Sequence, residues 1–125
     1  MADAPTRQVV LIVEDEALVR MTAADMVEEA GFEVLEATSA DEAILLLEAR
    51  RDITVVFTDV EMPGSMDGLK LARFVRNRWP PIKIVATSAL LRVEDDDLPA
   101  GSVFLPKPYR GTEVVATLRQ LTGMA

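Results

Sequence analysis

Five short runs of apolar and β-branched residues recur along the chain, each cut off by polar or turn-forming residues, with helical spacing of apolar residues between them. The runs cover residues 9–13, 32–37, 54–58, 82–87 and 103–105. Runs this short read as strands, and one that is apolar throughout, such as Val9-Val10-Leu11-Ile12-Val13, reads as buried on both faces. Strands alternating with helices form a parallel sheet with helices on both faces. Right-handed crossovers then restrict the topology to a few doubly wound arrangements. The class is α/β.

The intervening segments carry their own start and stop signals. Val19, Thr22, Ala23, Met26, Val27 and Ala30 share one face of a first helix, and Gly31 ends it. Glu33 and Glu36 place the next strand at a sheet edge. Ser39-Ala40-Asp41-Glu42 is a capping box for a second helix running to about Arg51, with Ala40, Ala43, Ile44 and Leu47 on one face. Asp67 caps a third helix over residues 68–78 that buries Leu71, Ala72 and Val75, and Pro80-Pro81 stops it. Between residues 89 and 101 the pattern weakens. Leu90 and Leu91 could open a helix there, but Asp95-Asp96-Asp97 and Pro99 make it short or irregular. Thr112 is expected to cap the last helix, which carries Val114, Val115, Leu118 and Leu121.

With 125 residues, of which 50% are apolar, the chain suits one domain, residues 1–125, around one core. Its 21 acidic against 13 basic residues give a net charge of −8, which argues against nucleic acid as a partner. The chain has no cysteine and no histidine. Disulfides, thiolate metal sites and imidazole bases, nucleophiles or ligands are therefore excluded. Residues 1–7 lack the apolar core of a signal peptide, and no run approaches membrane-spanning length. The expectation is a soluble, cytoplasmic protein with no membrane partner.

The third run stops on Asp59 and breaks into Val60-Glu61-Met62-Pro63-Gly64. In open α/β sheets, ligands and reacting groups gather at the carboxyl ends of the strands. Glu14-Asp15 follow the first strand, Ser88 the fourth and Lys107 the fifth. Singly, each has a plain explanation: acidic residues cap helices, serines follow many strands, and lysines populate surfaces. Their joint occurrence at ends that share one sheet edge is harder to explain that way. Clustered carboxylates repel one another and need a cation, and oxygen-only ligands favour Mg²⁺. A carboxylate so placed can attack phosphorus to give an aspartyl-phosphate. Lys107 would neutralise the phosphoryl oxygens, and the Ser88 hydroxyl would donate a hydrogen bond to them.

Glu14-Asp15, Asp59-x-x-Met62-Pro63 with Asp67-Gly68, Ser88-Ala89 and Lys107-Pro108 together resemble the receiver domain of two-component response regulators, over residues 8–121. The resemblance implies a flavodoxin-like, five-stranded parallel sheet of order 2-1-3-4-5. It also implies a stand-alone, chemotaxis-regulator-like signalling protein that catalyses only its own phosphorylation and dephosphorylation. Asp59 is then the phosphoacceptor, and Ser88 and Lys107 bind the phosphoryl group. Mg²⁺ would be held by Glu14, Asp15, Asp59 and the Glu61 backbone carbonyl. Asp15 is expected to coordinate directly, whereas Glu14, standing where many relatives have Asp, acts through water. The Lys107–Pro108 peptide is expected to be cis.

Phe104 takes the place of the family's aromatic switch, which is often Tyr. A Phe can change rotamer but cannot hydrogen-bond Ser88, so coupling would run through packing. The implied partners are a histidine kinase or histidine phosphotransfer protein as donor and a downstream protein that the sequence does not name. A homodimer would use the surface of residues 89–101. Leu90, two residues after Ser88, is expected to shield the phosphoryl group from water.

The chain departs from the family's commonest pattern by one extra residue between Pro63 and Asp67 and by a shorter segment at residues 89–101. Two other readings stand beside this one. A degenerate receiver would bind partners without phosphorylation, although Asp59, Ser88 and Lys107 are intact. A small phosphatase of the haloacid-dehalogenase type also pairs an Asp nucleophile with Mg²⁺, a Ser or Thr and a Lys. That class wants a second Asp where Glu61 stands, and its acidic metal residues follow the nucleophile, whereas Glu14-Asp15 precede it.

Overall fold

The alternating runs assemble as one parallel sheet in the computed structural model, which describes residues 8–64, 66–89 and 97–123. The elements in chain order are β1 (Val9–Val13), α1 (Ala17–Glu29), β2 (Glu33–Ala37), α2 (Ala40–Ala49), β3 (Ile53–Asp59), α3 (Gly68–Arg78), β4 (Lys83–Ser88), β5 (Val103–Pro106) and α4 (Gly111–Thr122). The strand order is β2-β1-β3-β4-β5 with all neighbours parallel, so β2 lies at an edge as its glutamates require. This is the flavodoxin-like order.

Successive side chains of a strand point to opposite faces, and the core divides accordingly. Val9, Leu11, Val13, Val56 and Ile84 pack with Ala40, Ala43 and Leu47 of α2 and Leu71, Ala72 and Val75 of α3. Val10, Ile12, Val55, Phe57, Val85 and Leu105 pack with Ala23, Ala24 and Val27 of α1, with Phe32, and with Val114 and Leu118 of α4. Burying each of these larger side chains contributes roughly 1.5–3 kcal/mol before the entropy of ordering is charged against it. Both faces of β1 and β3 are thus dry, which holds their carboxyl ends rigidly in register.

Several boundaries move from the sequence expectation. Both β3 and β4 continue by one residue at the carboxyl end, so Asp59 and Ser88 are the last residues of their strands. On α1, Thr22 is exposed and its hydroxyl returns to the Leu18 carbonyl at 2.8 Å, while Ala24 takes the buried place. α2 stops at Ala49, not Arg51, because Arg50 turns extended and its guanidinium reaches Glu33 and Asp52. Arg110, not Thr112, is the N-cap of α4, and its N–H donates to the Glu113 carboxylate at 3.4 Å. Ser39 and Asp67 do cap α2 and α3, accepting from the Glu42 and Lys70 N–H groups at 3.1 and 2.9 Å. The helix expected near Leu90 and Leu91, the shielding role of Leu90 and residues 1–7 lie outside the described residues. Among the described residues no helix is long and apolar enough to cross a membrane.

Candidate functional site

The ends of β1, β3, β4 and β5 are knitted together by backbone hydrogen bonds. Val60 N–H donates to the Thr87 carbonyl at 2.9 Å, and Lys107 N–H to the Ser88 carbonyl at 2.9 Å. Glu14 N–H donates to Ala37 across the β1–β2 edge at 3.0 Å. Behind Asp59, the first turn of α3 presses onto the strand end: Gly68 N–H donates to the Val60 carbonyl at 3.0 Å. A Cβ at Gly68 would stand 2.1 Å from the Asp59 carbonyl oxygen, so only glycine allows this approach.

The four strand ends bring Glu14, Asp15, Asp59, Ser88 and Lys107 to one edge. Glu14 and Asp59 are each only 5% exposed, while Asp15 faces solvent. One carboxylate oxygen from each of the three lies within 4.8 Å of the others. Lys107 bridges the buried pair, with Nζ 3.1 Å from Glu14 Oε1 and 3.4 Å from Asp59 Oδ1. Asp59 Oδ1 is buried and receives no hydrogen bond, so the ammonium is its counterion without being a well-aligned donor.

Burial, and then the negative charge of Glu14, push the Asp59 carboxyl up to about 6, against the pull of Lys107. Burial alone would lower the Lys107 ammonium, but its hydrogen bond to Glu14 and the charge of Asp59 outweigh that and raise it. Beside the site, Tyr109 stacks tilted on Phe57 with ring centroids 5.7 Å apart, and burial raises its hydroxyl. The expected cis peptide is present at Lys107–Pro108.

Each carboxylate oxygen of Glu14 has one partner within the protein. Its Oε1 takes Lys107 and its Oε2 accepts from the Glu16 N–H at 3.1 Å. Arg20, near the start of α1, donates from Nη1 to the Glu14 carbonyl at 2.9 Å and from Nε to Glu36 Oε1 at 3.2 Å. The cluster as a whole, two buried carboxylates with an undonated oxygen and one exposed carboxylate, fits a hard divalent cation.

The Glu61 side chain enters the site in a way that the reading of its backbone carbonyl missed. Glu61 Oε2 accepts from Ser88 Oγ at 2.5 Å, and Glu61 Oε1 accepts from the Ala89 N–H at 3.0 Å. The Ser88 hydroxyl is therefore turned to a carboxylate of the β3–α3 loop. Its signal in sequence was only an acidic residue two places after Asp59, and Arg20 had only the clustered acids before it to suggest a role. Phe104 lies in β5 opposite Ala86, half-buried.

A family model described as the response regulator receiver domain matches residues 10–119. Over 118 residues the chain is 36% identical to the sensor kinase CckA of Brucella abortus (strain 2308), covering 90% of this chain and 12% of that protein. It is 33% identical over 118 residues to the chemotaxis protein CheY of Thermotoga maritima, covering 90% of this chain and 96% of that one. Among solved structures, a response regulator receiver protein from Sinorhizobium medicae WSM419 matches with a TM-score of 0.88 at 27% identity, over 94% of this chain and 95% of that one. The chain spans between 12% and 58% of the length of several curated relatives that it matches.

Proposed function

As the chain belongs to the response regulator receiver domain family, we propose that Asp59 is its phosphoacceptor, charged from a phosphohistidine on a histidine kinase or histidine phosphotransfer protein. Receiver domains are signalling modules that work with histidine kinases and downstream effectors. The observation that carries the assignment is the pairing of a buried Asp59 carboxylate with the Lys107 ammonium 3.4 Å away, at the edge where strand ends converge.

In the proposed step an Asp59 carboxylate oxygen attacks phosphorus while the bond from phosphorus to the donor imidazole nitrogen breaks. The result is an acyl phosphate on Asp59 and a free histidine on the donor. Lys107 keeps Asp59 ionised for attack and then offers its ammonium to the phosphoryl oxygens. Ser88 Oγ supplies a hydroxyl donor to the same oxygens.

Glu14, Asp15, Asp59 and the Glu61 backbone carbonyl are the groups that would hold Mg²⁺. Asp15, which is exposed, would bind the ion directly, and Glu14, each of whose oxygens already has a partner, would act through water. Bound Mg²⁺ would neutralise the carboxylates and lower the repulsion between Asp59 and an incoming phosphoryl group.

An open cleft of about 530 Å³, lined by Glu16, Val19, Ala89, Lys107, Pro108 and Tyr109, leaves the Lys107 flank accessible to a donor protein. Phosphorylation would then alter affinity for a downstream protein through β4, β5 and α4, with Phe104 coupling by packing.

Incubation with Mg²⁺ and acetyl phosphate, read by intact mass, tests this. A single phosphoryl adduct that disappears in Asp59→Asn is expected. No adduct, or one that survives the substitution, overturns the assignment.

A further inference from the structure

Ser88 Oγ and the Ala89 N–H are adjacent donors at the end of β4, and both already serve one anion: the two carboxylate oxygens of Glu61. We propose that the Glu61 carboxylate is an internal competitor for the phosphoryl-oxygen position, held across Ser88 and Ala89 in the unphosphorylated protein and displaced when Asp59 is phosphorylated. The inference rests on the reading of Asp59 as phosphoacceptor.

Hydrogen-bond donors are in short supply at the end of β4. A hydroxyl and a backbone N–H each donate a single hydrogen, so neither can fully satisfy a carboxylate and a phosphoryl oxygen at once. Both interactions are charge-assisted, and such hydrogen bonds are the strong ones. A phosphoryl group that recruits Ser88 must therefore break the Glu61 contact first.

Glu61 is less enclosed than Glu14. Glu14 is 5% exposed and tied to Lys107 and the Glu16 N–H, so moving it would strand a buried charge. Glu61 is only half-buried and sits in the loop between β3 and α3. Half-buried, its carboxylate has water within reach when it leaves the end of β4. The loop also carries Gly64 at φ +107°, a conformation that favours glycine.

The consequence is a fixed tax on every anion that uses Ser88 and Ala89. Because the competitor is covalently part of the chain, it acts at constant effective concentration and cannot be diluted away. It would oppose activation by weak small-molecule donors, while a protein donor could offset the cost with docking contacts.

The experiment compares the intact chain with Glu61→Ala and Glu61→Gln. The probe is beryllofluoride with Mg²⁺, its affinity read by titration calorimetry, alongside the amide spectrum without any anion. Glu61→Ala is expected to bind the probe about ten-fold more tightly, the equivalent of about 1.4 kcal/mol, with Glu61→Gln intermediate. The Ala89 amide resonance of both variants should already be shifted before the probe is added, because its acceptor has changed.

Unchanged or weaker binding in a folded Glu61→Ala protein overturns the inference while leaving the Asp59 assignment intact. If the unsubstituted chain and both variants fail to bind beryllofluoride, the phosphoacceptor reading falls and this inference falls with it.

Discussion

The carbonyl oxygen of Asp59 lies 2.1 Å from the point where a Cβ on Gly68 would be. The first turn of α3 is thereby seated directly on the strand end that carries the candidate nucleophile. Gly68→Ala must push α3 away or distort the strand end, and overpacking against backbone is not relieved by rotamer change. A loss of about 3 kcal/mol, the upper part of the usual overpacking range, is expected, measured as a lower urea midpoint. An unfolding curve matching that of the parent would show that the close approach is dispensable.

Asp59 titrates at about 6, above its ordinary 3.8, chiefly through burial and then through the charge of Glu14. Between those values the folded chain holds this proton more tightly than the unfolded chain does. The stabilisation is complete below the unfolded value and is lost as pH rises through the folded one. Asp59→Asn stays neutral throughout, so it should exceed the parent in stability by about 2 kcal/mol at pH 8. The gap should close toward pH 4. Thermal melts in a chelator at several pH values decide this, and a pH-independent gap would contradict it.

Divalent cation binding should depend on Asp15 more than on Glu14, because Asp15 is exposed while both Glu14 oxygens are already engaged. Titration calorimetry with Mg²⁺ is expected to show a loss of about 10-fold or more in Asp15→Asn. Glu14→Gln should lose less. The reverse ranking would place the cation on the buried carboxylate instead.

Lys107 is the cation that Glu14 and Asp59 share. Lys107→Ala leaves two buried carboxylates facing each other, so the protein should melt lower at neutral pH and recover as Asp59 takes up a proton. Adduct formation from acetyl phosphate should fall about 100-fold, the usual cost of removing one charge-stabilising donor. A variant that reacted at the parent rate would remove Lys107 from the proposed step.

Most of the fold was legible because its signals are local. Val9 to Val13 is apolar without interruption, and the run is buried on both faces between two helix layers. Ser39 and Asp67 begin helices as their side chains dictate. The misses were contests between helix spacing and side-chain partners, one of them across the sheet at Glu33 and the others close by in the chain. Arg50 left its helix for Glu33 and Asp52, and Thr22 was held at the surface although its spacing matched the buried face.

The sequence by itself determined the order of elements, their parallel pairing and the residue types delivered to one sheet edge. Apolar periodicity and crossover handedness act over a few residues at a time and leave few alternatives. Only the tertiary structure decided what each polar side chain touches there. The burial that lifts Asp59, the Gly68 approach, the Arg20 clamp on Glu14 and the Glu61 carboxylate across Ser88 and Ala89 all join groups from different elements. Such contacts depend on distances of a few tenths of an ångström and on rotamers chosen after the strands are in register, and no local pattern encodes them.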